Sequence, residues 1–358
     1  MHMHIFKYKI FYPVWHLVFL LMLNQNQVLR CQFQLYEVNK VKYRIIAALL
    51  AGFTAFSASA EEVTLRGVTA FASGTTFSRP FEAFIDQVNK TGKGIVQINY
   101  VGGPEAVPTF ELGNAVSAGI VDIANNTSAF YTNLLPIGDA LHLVTNTVQD
   151  QRENGCFKRI DALHQSQMNV KFLARTGDHI KFHLYLTKPI KSTDLSGLTI
   201  RTTPVYRAMF EALGATLVRT APGEVYTALE RGTIDGYGWP IQGVMDLGWN
   251  EQTKYRIDPG FYQVDVNFLV NLDKWNTLSP EAKEVLHDAA IWSEAQNANN
   301  VSINASEASK QSESGIETIT FSHELKTKWL TTSQTAGWAS VEAINAAEAA
   351  ALKSCLIK

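Results

Sequence analysis

The order of strand-like and helix-like segments after residue 60 constrains the fold of this chain most. Short apolar or alternating runs, typical of strands, cover residues 63–69, 95–100 and 121–124. Helical spacing of apolar side chains covers residues 78–89 and 110–118 between them. Because each helix connects one strand to the next, this β-α-β-α-β order predicts a largely parallel sheet.

The same alternation returns in the second half of the chain. Further strand-like segments lie at residues 170–174, 182–187, 198–202, 216–219 and 234–237, and helical segments lie at 205–213 and 222–230. The chain has 358 residues, 46% of them hydrophobic, so it can form two cores of ordinary size. No proline- or glycine-rich linker separates the halves. We therefore expect an α/β protein with two lobes that exchange strands.

One helix is expected to be unusually long. Residues 280–308 contain no glycine and no proline after Pro280, and Ser279 followed by Pro280 is a typical helix start. Another helix is expected over residues 340–353, which are rich in alanine.

Residues 41–60 have the composition of a secretory signal peptide. Lys42 and Arg44 precede an apolar run at residues 45–56, and an A-S-A cleavage box ends at Ala60. We therefore expect export to the periplasm, with the signal peptide cleaved after Ala60.

The segment ahead of this signal peptide needs its own explanation. Signal peptides begin proteins, so we interpret residues 1–40 as translated upstream sequence, with Val41 at the position of a GTG start codon. The alternative is a membrane anchor at residues 10–23, but that run is short for a transmembrane helix and contains Pro13 and His16.

Charge and cysteine content narrow the possible partners. The formal net charge is −2, and loss of residues 1–60 removes six basic and one acidic side chain, which leaves −7. Such an acidic protein is not expected to bind nucleic acid. Cys156 and Cys355 remain after processing, and the sequence is equally compatible with a disulfide and with two free thiols.

No pattern in the sequence predicts catalysis. The sequence contains no nucleophile elbow, phosphate-binding loop, dinucleotide fingerprint or C-x-x-C pair. His179 and His183 flank a strand-like run, in which four residues span about 13 Å, too far for both to bind one metal ion. Nothing brings any two of Asp178, Glu224 and Asp235 to acid–base distance. The sequence therefore predicts no enzyme, no cofactor and no metal.

Arg201 is the residue whose surroundings most need an explanation. It lies near the end of the strand-like run in GLTIRTTP, residues 197–204. Ligands of α/β sheets bind at the carboxyl ends of strands, and a guanidinium can hold a carboxylate through two parallel hydrogen bonds. On this pattern alone, a surface or structural arginine is the simpler interpretation.

The segment 188–240 carries a series of spaced motifs. It reads K-P-I, then D-L-S-G-L-T-I-R, then a helix ending in A-L-G-A, then E-V-Y-T-A-L-E-R-G-T-I-D-G. These motifs closely resemble those of the substrate-binding proteins of tripartite ATP-independent periplasmic (TRAP) transporters, the DctP-like family. Weaker similarity extends over the chain after residue 60, including residues 102–107, 112–124 and 278–286.

The resemblance implies a two-lobed periplasmic binding protein of the Venus-flytrap type, with a long helix spanning both lobes. We expect residues 61–180 and 265–305 to form one lobe, and residues 181–264 and 306–358 to form the other. The resemblance also implies capture of a small organic acid and its delivery to the small and large membrane subunits of an ion-driven TRAP permease. The processed receptor is not itself embedded in the membrane.

The resemblance further implies which residues bind the ligand. In the family, the arginine of G-L-K-I-R forms the main salt bridge to the ligand carboxylate, and Arg201 matches that position. Many members carry a second arginine on the strand before K-P-I. This chain has none there, so Lys181 or His183 is the candidate substitute.

The Y-G-W-P segment that begins at Tyr237 departs from the pattern of sialic-acid-type members. Its tryptophan resembles the branch that binds 2-oxo acids, in which a preceding glutamate helps to hold a metal ion. Gly238 stands at that position, so no metal is expected. Tyr237, Trp239 and Phe130 are expected to line the cavity. The remaining candidates, in or near regions where the family contacts its ligand, are Glu105 and Asn267.

Two other functions stay open on the sequence. One is an exported bilobed enzyme, such as a lyase that acts on a carboxylate. The other is a solute receptor that serves a sensor kinase rather than a permease.

Overall fold

Residues 61–358 are described by a computed structural model. The predicted upstream segment and signal peptide lie outside the described residues. The strands are β1 (Val63–Thr69), β2 (Val96–Gly102), β3 (Ile123–Asn126), β4 (Val170–Thr176), β5 (Lys181–Leu186), β6 (Thr199–Thr202), β7 (Thr216–Arg219), β8 (Gly236–Pro240), β9 (Tyr255–Asp258), β10 (Phe261–Gln263), β11 (Val266–Asn271) and β12 (Glu317–Thr320).

Eleven α-helices are found in the described part of the chain, joined in places by short 3₁₀ turns. They are α1 (Arg79–Thr91), α2 (Leu112–Ser117), α3 (Val148–Glu153), α4 (Cys156–Met168), α5 (Pro204–Ala212), α6 (Val225–Glu230), α7 (Leu272–Thr277), α8 (Pro280–Ala295), α9 (Asn300–Glu313), α10 (His323–Ile344) and α11 (Ala346–Leu356). Of the helices from residue 61 to 358, none is long and apolar enough to cross a membrane.

The strands form two sheets. The first has the order β2-β1-β3-β11-β4, and the second has the order β12-β9-β5-β8-β6-β7, with β10 added to β5. The pairs β1–β2, β1–β3, β6–β7 and β6–β8 are parallel, as the strand–helix order predicts. The pairs that β11 and β5 make are antiparallel. The sheets are therefore mixed, because these strands arrive from the other sheet and not through a helical connection.

The chain passes between the sheets twice through short segments that connect one strand to the next. Residues 177–180 connect β4 to β5, and residues 264–265 connect β10 to β11. We call the first sheet with its helices lobe 1 and the second sheet with its helices lobe 2. The two crossings confirm the expected α/β fold with two lobes that exchange strands.

The long helix is confirmed in position but is not continuous. A 3₁₀ turn at Gln296–Asn299 separates α8 from α9, and the helical path runs on to Glu313. Ser279 caps α8 as predicted, because its hydroxyl accepts a hydrogen bond from Ala282 N at 3.1 Å.

The two halves of this helix hold different lobes. In α8, Glu294 accepts hydrogen bonds from Arg152 Nε at 2.7 Å and from Arg175 N at 3.0 Å, both in lobe 1. In α9, Gln311 Nε2 donates to Ile241 O of lobe 2 at 2.7 Å. The α8–α9 pair therefore spans both lobes.

Asparagine side chains fasten the first crossing to the turn between α8 and α9. Asn297 accepts a hydrogen bond from Gly177 N at 2.9 Å and donates one to Arg175 O at 3.3 Å. Asn300 donates to Asp178 O at 3.0 Å. The crossing strand and the helix turn are thus one hydrogen-bonded unit.

The C-terminal region differs from the expectation of a single helix over residues 340–353. The helix α10 begins much earlier, and Asn345 separates it from α11 by leaving the helical conformation and capping the next helix. A disulfide joins Cys156, the first residue of α4, to Cys355 in α11. The end of the chain is therefore attached to lobe 1, and the division of the chain between the lobes stays a prediction at its exact boundaries.

The disulfide should contribute measurably to stability. It joins residues 199 apart in sequence, so it restricts the unfolded chain strongly, and its loss should lower the free energy of unfolding by about 2–4 kcal/mol. Denaturant unfolding of the processed protein, with and without reductant, measures this difference. In the double variant Cys156→Ser/Cys355→Ser, reductant should have no effect. Equal stability of the oxidised and reduced protein would contradict the prediction.

Candidate functional site

A cavity of about 30 Å³ lies between the lobes. It is bounded by residues from both sheets and from the second crossing, and its wall is mostly aromatic. The wall consists of Phe71, Phe77, Thr127, Ala129, Phe130, Phe182, Thr203, Tyr206, Trp239, Pro240, Val264, Asp265 and Val266. A volume of this size holds about two water molecules, at about 10–15 Å³ each, so aromatic side chains nearly fill the space.

An outer cleft of about 360 Å³, a volume within the range of small-molecule sites, opens toward solvent beside this cavity. The two spaces share three aromatic side chains, Phe71, Phe77 and Trp239. These aromatic rings therefore form the boundary between the inner cavity and the outer cleft.

Arg201 is completely buried in β6, at 0% exposure. Its Nε and Nη2 donate to Thr220 O at 3.1 and 2.8 Å, and Nη1 lies 3.5 Å from Gly238 O. Burial lowers the pKa of Arg201 to about 10. Among residues 61–358, no carboxylate forms a salt bridge with it, whereas the other arginine at 0% exposure, Arg175, pairs with Asp178.

Trp239 lines both the cavity and the outer cleft, whereas Arg201 lines neither. The centre of its ring is 5.7 Å from the guanidinium carbon of Arg201 and 4.7 Å from the ring of Trp249. Its other neighbour is Phe77 of lobe 1, with ring centres 6.0 Å apart. The structure therefore places Trp239 in the cavity wall, in contact with both lobes.

Tyr237 does not line either space. Its ring stacks on Tyr185 with centres 5.1 Å apart, and its hydroxyl is hydrogen-bonded to Thr253 Oγ1 at 2.7 Å. The hydroxyl has its hydrogen-bond partner inside the core of lobe 2. Tyr237 packs against Trp249, which in turn packs against Trp239.

Phe130 lies in the cavity wall, where the sequence analysis expects it. Its ring centre is 5.7 Å from that of Phe71 and 5.3 Å from that of Phe110. Glu105 lies in the wall of the outer cleft instead, and accepts a hydrogen bond from Gly103 N at 2.7 Å. This hydrogen bond holds the pKa of Glu105 below its usual range.

The side chains of β5 alternate, and this decides which of them faces the cavity. Phe182 lines it, while its neighbours Lys181 and His183 point to the other side of the sheet. Desolvation, followed by the charge of Arg175, lowers the pKa of Lys181. His183 forms its hydrogen bond outside the cavity, where Nδ1 donates to Ile257 O at 2.9 Å. The aromatic ring of Phe182 therefore lines the cavity at this strand, and neither Lys181 nor His183 supplies a second cation there.

Asn267 is buried below the cavity and positions Asp265. Its Nδ2 donates to Asp265 Oδ2 at 2.7 Å and to the Tyr131 hydroxyl at 2.9 Å. Asp265 also accepts hydrogen bonds from Thr127 Oγ1 at 3.2 Å and Ser128 N at 3.1 Å. The carboxylate that lines the cavity is thus held by several donors of lobe 1.

His142 completes this group at the second crossing. Its Nε2 is 2.8 Å from Asp265 Oδ1, and its Nδ1 is 3.2 Å from Gln263 O. A carboxylate and a carbonyl can only accept, which favours a proton on both ring nitrogens, while the Ser128 hydroxyl also lies 2.9 Å from Nε2. Burial opposes this charge, but Asp265 raises the pKa of His142 above its ordinary value, and His142 in turn lowers the pKa of Asp265.

The rims of the two lobes touch each other. Asp246 of lobe 2 accepts hydrogen bonds from Thr76 N at 2.8 Å and Thr76 Oγ1 at 2.6 Å, and pairs with Arg79 at 3.0 Å. On the other rim, the guanidinium carbon of Arg219 lies 4.1 Å above the ring of Phe110. The structure is therefore a closed arrangement of the lobes.

Some wall residues were not among the sequence candidates. Thr203 and Tyr206 follow the end of β6, and their position directly after a predicted strand end is the signal that could have found them. Phe182 required the facing of β5, which the sequence leaves open. Asp265 carries no local signal at all.

A metal ion beside Trp239 would need a ligand at position 238, and the space there is occupied. A Cβ atom on Gly238 would lie 2.9 Å from Cδ2 of Tyr206. A glutamate at this position would displace the Tyr206 ring, so the residues present do not fit that metal site. Within residues 61–358, no group of three or more histidine, cysteine or acidic side chains could hold a metal ion.

The protonated state of His142 should make stability depend on pH. Its pKa is higher in the folded chain than the ordinary 6.5, so its contribution is complete below pH 6.5 and disappears as pH rises through the folded pKa. The melting temperature should therefore fall between pH 6.5 and 9. Asp139 is adjacent, and burial raises its pKa to about 6, so its ionisation is nearly complete by pH 7 and the decline above pH 7 belongs to His142.

The variant His142→Gln should lack this decline, because the amide does not titrate. His164→Gln is the matched control: burial lowers the pKa of His164 to about 4, so it is neutral from pH 6.5 to 9 and its replacement should leave the decline unchanged. A decline that persists in His142→Gln would contradict the assignment.

The fold and the site agree with comparisons with known proteins. The monocarboxylate 2-oxoacid-binding periplasmic protein of Nostoc sp. is 28% identical over 226 residues, which cover 59% of this chain and 60% of that protein. The 2,3-diketo-L-gulonate-binding periplasmic protein YiaO of Escherichia coli is 27% identical over 271 residues, which cover 71% and 79%.

Solved structures show the same two-lobed fold. A TRAP transporter solute binding protein from Bordetella bronchiseptica superposes with a TM-score of 0.73 at 24% identity, over 83% of this chain and 92% of that one. A model of the family described as bacterial extracellular solute-binding protein, family 7, matches residues 68–341. Since this match covers most of the chain and confirms the resemblance inferred from residues 188–240, the protein belongs to the family 7 (DctP) bacterial extracellular solute-binding proteins.

Proposed function

We propose that this protein is the periplasmic receptor of a TRAP transporter and that it captures a small monocarboxylate. A 2-oxo, hydroxy or aromatic acid is the ligand that the aromatic wall favours. The receptor closes around the acid and delivers it to the small and large membrane subunits of the permease.

The uncompensated charge of Arg201 is the observation that carries this proposal. A buried charge without a counter-charge costs several kcal/mol, and the two carbonyl oxygens beside Arg201 offset only part of that cost. An anion bound next to Trp239 and Thr203 would supply the missing charge. Arg201 also matches the arginine of the family motif to which the resemblance assigns this role.

The remaining wall limits the ligand to one anionic group. The cavity wall consists mainly of aromatic rings, which favour a ligand that is planar or apolar apart from its carboxylate. Asp265 lines the wall as an ionised carboxylate, because His142 lowers its pKa, and it would repel a second acidic group.

The relatives support a ligand of this kind. The Nostoc protein is named for binding monocarboxylate 2-oxoacids, and the Bordetella bronchiseptica structure contains picolinate, a planar aromatic monocarboxylate. Asp265 argues against an enzyme in this cavity, because its two oxygens already accept four hydrogen bonds or ion-pair contacts. It is therefore poorly placed to act as a general base.

A thermal-shift screen tests the proposal. The processed protein is heated with pyruvate, 2-oxoisovalerate, phenylpyruvate, picolinate and orotate, with succinate as a dicarboxylate for comparison. A monocarboxylate at a hundredfold excess over its dissociation constant should stabilise the folded protein by about 2.7 kcal/mol. Succinate should stabilise it less.

The variant Arg201→Gln should lose this stabilisation, because the amide keeps a polar group but supplies no charge. Arg207→Gln is the matched control, since Arg207 lies on the solvent-facing side of α5 and its side chain is 58% exposed. The proposal fails if no monocarboxylate stabilises the wild type, or if Arg201→Gln responds as the wild type does.

The rim contact at Asp246 should govern how long the ligand stays bound. Its three contacts join the lobes only when they are closed, so their loss destabilises the closed state relative to the open one. Asp246→Ala should raise the dissociation rate about three- to tenfold and leave the association rate nearly unchanged.

Stopped-flow tryptophan fluorescence measures both rates with a monocarboxylate that binds in the screen. Asp86→Ala is the control, because Asp86 is an exposed carboxylate on α1 away from the rim. An unchanged dissociation rate in Asp246→Ala would show that the rim contact does not hold the lobes together.

A further inference from the structure

We propose that the ligand carboxylate is bound at the N-terminus of α5, where the Thr203 hydroxyl holds it together with Arg201. This inference rests on the proposed function and names a second residue for the same anionic group. It also explains how one arginine suffices in a chain that lacks the second arginine of its relatives.

The backbone between β6 and α5 brings the two side chains together. Residues two apart in an extended strand point to the same face, and Thr203 is still extended, with φ −113° and ψ 166°. Arg201 and Thr203 therefore share one face at the end of β6. Thr203 lines the cavity directly, and Arg201, two residues earlier in the chain, is completely buried in β6.

The Thr203 hydroxyl is not used by the protein itself. Threonine at the N-cap of a helix ordinarily accepts a hydrogen bond from an amide of the first turn, but Thr203 makes no such bond. Tyr206 N donates to the Thr203 carbonyl at 3.2 Å instead. Within residues 61–358, Thr203 Oγ1 has no hydrogen-bond partner, although the residue is only 1% exposed.

A buried hydroxyl without a partner is costly, and a ligand that accepts its proton removes the cost. The hydroxyl of Tyr206 is a near neighbour of both Thr203 and Arg201, close enough for either to affect its pKa, without forming a hydrogen bond of ordinary geometry to Thr203. Burial nevertheless keeps the Tyr206 pKa above its usual value, so the phenol is neutral and can donate. Three donors therefore surround this corner of the cavity.

The electrostatic environment at this corner favours an anion. The N-terminus of α5, a helix of nine residues, carries a partial positive charge, and its first turn contains no acidic residue. Pro204 occupies the first helical position and has no amide hydrogen, so Val205 supplies the first free amide of the helix. A carboxylate has two oxygens, of which one can face Arg201 and the other the Thr203 hydroxyl and this amide.

The binding of the carboxylates named above to four proteins tests the inference: the wild type, Thr203→Val, Thr203→Ser and Arg201→Gln. Thr203→Val keeps the shape but removes the hydroxyl, and it should raise the dissociation constant about ten- to hundredfold. Thr203→Ser retains the donor and should bind within about threefold of the wild type. Picolinamide, the neutral counterpart of picolinate, should bind weakly to all four proteins.

Thr199→Val is the matched control, because Thr199 lies on the same strand and face as Thr203 but at the other end. Equal melting temperatures of the unliganded proteins show that each variant folds. If Thr203→Val binds the carboxylates as tightly as the wild type while Arg201→Gln does not, this inference is overturned and the proposed function stands. If no carboxylate binds the wild type, both are overturned.

Discussion

The ion pair between Asp265 and His142 is the interaction on which the arrangement of the two lobes depends. Asp265 lies in the second crossing, and its partners Thr127, Ser128 and His142 all belong to lobe 1. Both charges are buried, so neither could exist there without the other. The crossing is therefore fixed to lobe 1 by charge, and the adjoining β10 is left to move with lobe 2.

A second buried charge has the opposite character. Arg201 is satisfied only by backbone carbonyls, and the aromatic wall beside it excludes water. The low polarity that makes the Asp265 pair strong also makes an unpaired guanidinium unfavourable. The Asp265–His142 pair thus stabilises the folded chain, whereas Arg201 contributes favourable free energy only when an anion binds. Asp265 lies in the second crossing and Arg201 lies in β6, so the stability of the crossing and the affinity for the ligand depend on different residues.

Local sequence determined most of the fold and part of the site. The strands, short helices and the Ser279 cap follow from periodicity and helix-start residues, which act within one or two turns. Arg201 and Trp239 were found because they lie at strand ends within a specific family motif. The side of the sheet to which Phe182 points was not predictable. Every residue of β5 except the first is buried, so polar and apolar positions do not alternate along the strand. Asp265 was missed because its partners Thr127, Ser128 and His142 are more than 120 residues away.

The coupling of the first crossing to the turn between α8 and α9 has a mechanical consequence. Asn297 ties Gly177 to the one place where the long helix loses its regular winding, so strand and helix can bend at the same height. Two bends at the same level define a single rotation axis, so the lobes can rotate relative to each other but cannot slide. A rotation of this kind moves the rims by the largest distance and the hinge by the smallest. The aromatic wall can therefore open without disturbing the sheets that position it.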